Sequence, residues 1–297
     1  MSLSYWSRAA RRASSVRTAR PTVNAAARRV TLARRPALAN RPLLACRPSL
    51  GARPSFRVAS RPGRVGSAPA SAPWPSLVPS PGFADYSRAL GCWDGLWTGY
   101  QLPLTWSADR PQAIPPPAEA DVLWICNPHN PTGQLWSRAS LEPLLKRFRL
   151  VICDEAFLPL VPDGEHQSLI PLVAETGNLV VIRSLTKLFG IAGLRLGYAI
   201  AEPQRLQRWS QWRDPWPVNG LAAAAGERLM ADAAWTKKVQ AWVATERPWL
   251  VDQLVRRGWQ VSPSSCNFLL VQRGHALENW RQRLEQQHRI LVRDCRS

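Results

Sequence analysis

The sequence contains three short apolar runs that each end in polar or ionisable residues. They cover residues 121–126, 150–154 and 179–184. Their length is typical of strands buried inside a parallel sheet, and the segments between them have the features of helices. The alternation predicts an α/β fold with a mostly parallel sheet and helices on both faces. Because the carboxyl ends of parallel strands meet at one edge, the polar residues there are expected to form a ligand site.

The residues after the third run have the chemistry of a phosphate site beside an amine. In Ser184-Leu-Thr-Lys187 two hydroxyl residues precede one lysine, and Arg195 follows in a glycine-rich stretch. Hydroxyls and a guanidinium bind a phosphate dianion. A lysine that leaves a hydrophobic strand is partly desolvated, which favours the neutral amine that forms a Schiff base. The alternative is a surface lysine in a strand–loop–strand unit.

Polar residues also follow the other two runs. The stretch Asn127-Pro-His-Asn130-Pro-Thr-Gly133 has two X-Pro steps and a glycine, which predicts a rigid turn. Asp154 and Glu155 end the second run. A carboxylate at the end of a buried strand needs a cationic or hydrogen-bonding partner. A helix cap is the alternative role for Asp154.

The C-terminal part of the chain has a different pattern. A strand at 268–272, a helix at 275–287 and a strand at 290–293 are predicted there. Together they form a small α+β C-terminal domain at residues 233–297, and residues 77–232 form the predicted large domain.

The first 76 residues differ from the rest of the chain in charge and composition. They contain 15 arginines and no lysine, aspartate or glutamate, so they carry most of the net charge of +19. They are mainly Arg, Ala, Ser and Pro without apolar periodicity, which predicts a disordered basic N-terminus at residues 1–76. The composition fits a transit peptide, a nucleic-acid-binding tail or a shifted reading frame in a GC-rich gene. We favour the shifted frame, because proline recurs throughout and interleaved aromatic residues are lacking.

The composition of the chain also excludes several classes of partner and site. No apolar run approaches the roughly 20 residues that a membrane helix needs, and residues 77–297 carry little net charge. We therefore expect neither a membrane nor a nucleic acid as partner. The four histidines lack metal-ligand spacing, so no metal is expected. The six cysteines lack paired spacing, which predicts reduced thiols and a cytoplasmic protein.

Together and in this order, the three motifs resemble the pyridoxal-phosphate enzymes of fold type I. The branch is that of histidinol-phosphate aminotransferase and threonine-phosphate decarboxylase, and the resemblance covers roughly Leu77 to Ser297. It implies pyridoxal 5'-phosphate as the cofactor, bound in the large domain, a small phosphorylated amino-acid substrate and a homodimer. It also implies an N-terminal phosphate-binding turn and a further C-terminal arginine. Neither is recognisable in the sequence, so both chain ends are expected to be incomplete and the activity is expected to be impaired.

The resemblance assigns a role to each site residue. Asp154 faces the ring nitrogen and Lys187 forms the Schiff base, so these two are the expected catalytic residues. Asn130 contacts the ring oxygen. Phe83, in Ser80-Pro-Gly-Phe83-Ala-Asp-Tyr86, stacks on the ring, and a core phenylalanine is the alternative. The remaining expected contacts are to the phosphate, from Ser184, Thr186 and Arg195, and to the substrate, from Asn267 and Arg293.

Within this resemblance, three local features favour the decarboxylase over the aminotransferase. Phe157 stands where the aminotransferases have a tyrosine, and the other two features are Trp216-Pro-Val-Asn219 and Arg293-Asp-Cys295. They imply a lyase that decarboxylates L-threonine O-3-phosphate to aminopropanol phosphate, a step of cobalamin biosynthesis. The alternatives are a histidinol-phosphate-type aminotransferase, which uses 2-oxoglutarate, a non-catalytic remnant of the family, and a nucleic-acid-binding protein that uses residues 1–76.

Overall fold

The structure is a computed structural model that describes residues 2–4, 74–104, 106–107, 120–213, 215–274, 277 and 279–295. The chain divides into two compact units. One comprises residues 1–13 and 72–297, and the other, residues 14–71, lies outside the described residues. The predicted disorder of residues 1–76 therefore falls almost entirely outside them and stays a prediction. The boundary between residues 77–232 and 233–297 stays a prediction as well.

The strands of the first unit form two sheets. In chain order the strands are β1 Ser2–Ser4, β2 Ser76–Ser80, β3 Trp97–Gln101, β4 Val122–Cys126, β5 Leu150–Asp154, β6 Leu179–Ser184, β7 Gly197–Ala201, β8 Gln260–Val261 and β9 Phe268–Gln272. The main sheet has the order β3-β2-β4-β5-β6-β7, and every neighbouring pair is parallel except β6 and β7. β1 and β8 flank β9 in a small antiparallel sheet. The predicted mostly parallel sheet is confirmed.

Helices connect the strands of the main sheet and form most of the C-terminal part. In the described part of the chain they are α1 Asp85–Cys92, α2 Arg138–Leu145, α3 Leu185–Leu188, α4 Pro203–Ser210, α5 Gly220–Ala231, α6 Ala233–Val255 and α7 Trp280–His288. Short 3-10 helices lie at Leu158–Leu160, Gly164–Gln167, Ile170–Ala174 and Ala192–Leu194. None of these described helices is long and apolar enough to cross a membrane.

Helices cover both faces of the main sheet, as the alternation of elements predicts. Side chains along a strand alternate between the faces. Leu123 and Val151 point to the face that α2 covers. Val122 and Ile152 point to the opposite face, where α4 packs, and α1 packs beside Cys126 on that same face. The edge of the sheet where β4, β5 and β6 end is therefore held by a core on each side.

The C-terminal part differs from the prediction in one strand. Residues 290–293 form no strand apart from a single bridge at Arg293, and α7 begins at Trp280 and not at residue 275. β9 already has a neighbour on each edge, β1 and β8, so no edge of it is available for another strand. Val292 instead packs against Trp259 and Leu269 in a side-chain cluster.

A buried ion pair joins the ends of β5 and β6. Arg183 Nη2 lies 2.7 Å from Glu155 Oε2, and both side chains are buried. The Ser168 hydroxyl and the Leu169 N–H donate to the same carboxylate, and Glu165 accepts two hydrogen bonds from the guanidinium. Burial raises the pKa of Glu155, while Arg183 and these hydrogen bonds oppose the rise. The pair supplies the partner that a carboxylate at a buried strand end requires.

Replacing Arg183 by Met should destabilise the fold strongly, because Glu155 would keep a buried charge without its cation. Loss of one partner of a buried pair costs about 3–5 kcal/mol. The control Arg256→Met removes an exposed pair with Asp252 and should cost about 0–1 kcal/mol. Urea denaturation measures both free energies of unfolding. The loss of unfolding free energy in Arg183→Met should become smaller as the pH falls, because Glu155 then takes up a proton and loses its charge. Equal losses in the two variants would contradict this assignment.

Candidate functional site

One cavity of about 970 Å³ brings together the residues that the sequence singled out. It lies at the edge of the main sheet where β4, β5 and β6 end. All of the predicted site residues line it, namely Phe83, Asn130, Asp154, Ser184, Thr186, Lys187, Arg195, Asn267 and Arg293. The structure therefore places in one cavity residues that are more than 200 positions apart in the sequence.

The register of the parallel strands explains this convergence. Cys126, the last residue of β4, pairs with Asp154, the last residue of β5, and Asp154 pairs with Ile182 near the end of β6. The chain thus leaves all three strands at the same edge. The turn that carries Asn130 follows β4 directly, and α3, which carries Lys187, follows β6 directly, so the two lie on either side of Asp154.

Asp154 receives hydrogen bonds on both carboxylate oxygens. The Tyr86 hydroxyl donates to Oδ2 at 2.6 Å and the Ala156 N–H donates to Oδ1 at 2.9 Å. Burial raises the pKa of Asp154, while these two donors and the positive charge of Lys187 oppose the rise. Asp154 is not a helix cap, because the following 3-10 helix begins with Phe157 as its N-cap. The two hydrogen bonds therefore fix the orientation of the Asp154 carboxylate, which lines the cavity.

Tyr86 is a site residue to which the sequence analysis assigned no role. Its buried ring lies 5.1 Å from the ring of Trp124 and 5.5 Å from the ring of Phe83, between ring centroids. It follows Phe83 by three residues across the start of α1, and both side chains line the cavity. That spacing was the signal in the sequence that could have identified Tyr86.

The hydroxyls expected to bind phosphate lie at the start of α3. The side-chain oxygens of Ser184 and Thr186 are 2.7 Å apart, and Ser184 also caps this short helix. Arg195 has a left-handed backbone, with φ 54°, and its exposed guanidinium donates to the Ala192 carbonyl at 2.9 Å. The two hydroxyls and the guanidinium are therefore accessible from the same cavity.

Lys187 lies in α3 between the buried residues Thr186 and Leu188. Its side chain is exposed, with Nζ 5.6 Å from the centroid of the Phe157 ring. Phe157 in turn packs edge to face on Phe268 at 4.9 Å between centroids. The desolvation expected for this lysine is not found, because its side chain projects into a wide cavity.

The groups that line the cavity fit pyridoxal 5'-phosphate. Phe83 offers an aromatic surface, Asp154 a carboxylate and Lys187 a primary amine, beside the two hydroxyls. Asn267 Oδ1 is buried and has no hydrogen-bond partner among the residues that the structure describes. Buried polar atoms normally have partners, so this oxygen is suited to accept a hydrogen bond from a bound molecule.

Most of the described chain matches a known protein family. The family described as aminotransferase class I and II matches residues 75–297. The chain is similar to the threonine-phosphate decarboxylase of Salmonella typhimurium, at 34% identity over 234 residues, which is 74% of this chain and 62% of that protein. It is also similar to a histidinol-phosphate aminotransferase of Anaeromyxobacter sp., at 37% identity over 152 residues, which is 50% of this chain and 42% of that protein. The chain thus spans less than two thirds of the length of these relatives.

Solved structures share the fold. L-threonine-O-3-phosphate decarboxylase from Porphyromonas gingivalis has a TM-score of 0.63 at 25% identity, over 74% of this chain and 67% of that chain. Histidinol-phosphate aminotransferase from Sinorhizobium meliloti, in complex with pyridoxal-5'-phosphate, has a TM-score of 0.65 at 20% identity, over 75% of this chain and 62% of that chain. These likenesses confirm the predicted α/β fold class.

Replacing Tyr86 by Phe should raise the pKa of Asp154 further, because the ionised carboxylate loses a donor. Above that pKa the change should cost about 1.5–3 kcal/mol, the value of a hydrogen bond to a charged group, and below it about 0.5–1.5 kcal/mol. The cost increases with pH because the pKa of Asp154 is raised in the folded state. For such a group, the stability that the protonated carboxyl contributes is lost as the pH rises through the folded-state pKa. Urea denaturation at a series of pH values measures the difference.

Tyr100→Phe is the matched control for this measurement. It removes a hydroxyl that donates to the Trp124 carbonyl at 3.0 Å, so its cost should not change with pH in the range where Asp154 titrates. The same pH dependence in Tyr86→Phe and Tyr100→Phe would contradict the role of Tyr86 as the donor to Asp154.

Proposed function

Because this chain belongs to the aminotransferase class I and II family, we propose that it is a pyridoxal-phosphate-dependent decarboxylase of L-threonine O-3-phosphate. The predicted family and its cofactor, pyridoxal 5'-phosphate, are confirmed. The choice of decarboxylation is our proposal, because the chain is similar both to a relative named for decarboxylation and to one named for amino transfer. The phosphorylated substrate, the homodimer and the cytoplasmic location also belong to the proposal.

The packing of Phe157 is the observation that carries the choice of reaction. Its ring lies edge to face on Phe268 and lines the cavity beside Lys187. A phenyl ring has no hydroxyl to donate to the oxygen of the cofactor ring, which a tyrosine at this position would have. By resemblance the tyrosine is typical of the aminotransferases and the phenylalanine of the decarboxylase.

The residues of the cavity would divide the work as follows. Asp154, oriented by Tyr86 and Ala156, would hold the protonated ring nitrogen. Ser184 and Lys187 would hold the phosphate and the aldehyde carbon, respectively. When bound, the cofactor supplies an electron sink that accepts the electron pair of the broken bond at the substrate Cα. Lys187, or a water, would then deliver a proton to that carbon.

The position of the substrate carboxylate decides which bond at Cα breaks. Arg293 lines the same cavity as Lys187 and carries a guanidinium, which binds carboxylate or phosphate through two parallel hydrogen bonds. In the decarboxylation that we propose, Arg293 would orient the substrate so that the bond from Cα to the carboxylate breaks and CO2 leaves. In the aminotransferase alternative the Cα–H bond would break instead, and 2-oxoglutarate would be the second substrate.

The two reactions differ in their products, which gives a direct test. The purified chain, loaded with pyridoxal 5'-phosphate and given L-threonine O-3-phosphate, should release CO2 without consuming 2-oxoglutarate. Amino transfer from histidinol phosphate to 2-oxoglutarate without CO2 release would support the aminotransferase. Neither product, in protein that carries the cofactor, would support the non-catalytic remnant.

Replacing Arg293 by Ala should weaken substrate binding or turnover and leave cofactor binding intact. Loss of the clamp leaves the substrate loosely oriented, which we expect to lower kcat/KM by about 100-fold. Arg283→Ala, on the exposed surface of α7, is the control and should keep the wild-type value. Steady-state kinetics with the visible cofactor band as a reference separates the two effects. An unchanged kcat/KM in Arg293→Ala would remove this residue from the substrate site.

A further inference from the structure

Helix α6 donates hydrogen bonds to three of the segments that carry site residues. The Trp235 indole N–H donates to the Leu188 carbonyl at 2.9 Å, and the Gln240 amide donates to the Pro159 carbonyl at 3.0 Å. Arg247 donates to the Ser265 carbonyl at 2.5 Å. Leu188 follows Lys187, Pro159 lies two residues after Phe157, and Ser265 lies two residues before Asn267.

These contacts are important because apolar packing is uneven along α6. Leu250, Val251 and Leu254, in its C-terminal part, pack against the cluster around Trp259. In the part of α6 that precedes them, Val243 is fully buried and most other side chains are exposed or half-buried. The three donor side chains, each directed to one backbone carbonyl, therefore connect this part of the helix to the site.

The contact of Trp235 is the one nearest to the chemistry. α3 is a single turn that ends at Leu188, so the carbonyl of Leu188 lies at a helix end, where carbonyls have no partner within the helix. The indole N–H supplies a partner. The backbone of Trp235 is itself held at the start of α6, because its N–H donates to the capping carboxylate of Asp232 at 2.8 Å.

We propose that Trp235 is the positioning residue for Lys187, and that α6 as a whole aligns the Lys187, Phe157 and Asn267 segments around the cavity. The proposal rests on the proposed function, in which Lys187 binds the cofactor covalently. Trp235 touches neither cofactor nor substrate in this account. It acts by holding the carbonyl end of the turn on which Lys187 stands, so that the amine stays directed into the cavity.

The variant Trp235→Phe tests this, because it keeps an aromatic ring and removes the N–H. Trp212→Phe, at an exposed position beyond α4, is the control with the same chemical change. In the cofactor-free protein, amide hydrogen exchange at residues 187–190 should become about two- to tenfold faster in Trp235→Phe, which corresponds to the loss of one hydrogen bond. In Trp212→Phe it should not change.

Cofactor binding gives the second measurement. The dissociation constant for pyridoxal 5'-phosphate should rise about two- to tenfold in Trp235→Phe. In a Lys187→Ala background, Trp235→Phe should cause no further rise, because the residue through which it acts is gone. A merely structural role for Trp235 would weaken binding equally in both backgrounds, and that result would overturn the proposal.

The two measurements also separate this proposal from the proposed function. Unchanged exchange at residues 187–190 in Trp235→Phe would overturn the positioning role, whatever the cofactor does. A wild-type chain that forms no visible cofactor band would overturn the proposed function. Even in that case, faster exchange at residues 187–190 in Trp235→Phe than in the wild type would still support the contact of Trp235 with the Lys187 turn.

Discussion

The structure depends on the parallel register of β4, β5 and β6 and on the buried ion pair that joins two of their ends. Register places Cys126, Asp154 and Ile182 side by side, and the ion pair of Glu155 with Arg183 joins the residue that follows β5 to the end of β6. Asp154 precedes one partner of the pair in sequence, and Ser184 follows the other. Because a buried pair with additional hydrogen bonds has one well-defined geometry, the carboxylate and the hydroxyls of the site are held in a fixed relation.

Local patterns in the sequence predicted the main sheet and the edge where Asp154, Ser184 and Lys187 lie, whereas Phe83, Asn267 and Arg293 were assigned through the resemblance. A short apolar run followed by a carboxylate or hydroxyls identifies a buried strand and the edge where it ends, as it did for Asp154 and Ser184. This pattern could not identify the partner of Glu155, because nothing in it distinguishes Arg183 from the other residues of its strand. It also did not identify the donor to Asp154, since the pairing of Tyr86 with a residue 68 positions away depends on how α1 packs.

The error at residues 290–293 has a similar origin. A run of apolar residues indicates that a segment is buried, but it does not indicate which strand, if any, the segment pairs with. Here β9 already has two neighbours, so Val292 is buried by side chains instead of by a sheet. The exposed Lys187 is another case, because desolvation depends on the width of the cavity and not on the strand that precedes the residue. Both differences come from tertiary structure, which short patterns do not contain.

We propose that this edge of the sheet binds pyridoxal 5'-phosphate through Lys187. The chain contains only four lysines, at positions 146, 187, 237 and 238, so the claim can be tested by locating one covalent bond. The complex with the cofactor is reduced with borohydride and digested, and the peptides are analysed by mass spectrometry. The account predicts a pyridoxyl phosphate mass on the peptide with Lys187 and its loss in Lys187→Ala. The same mass on Lys146, Lys237 or Lys238, or on no lysine, would contradict it.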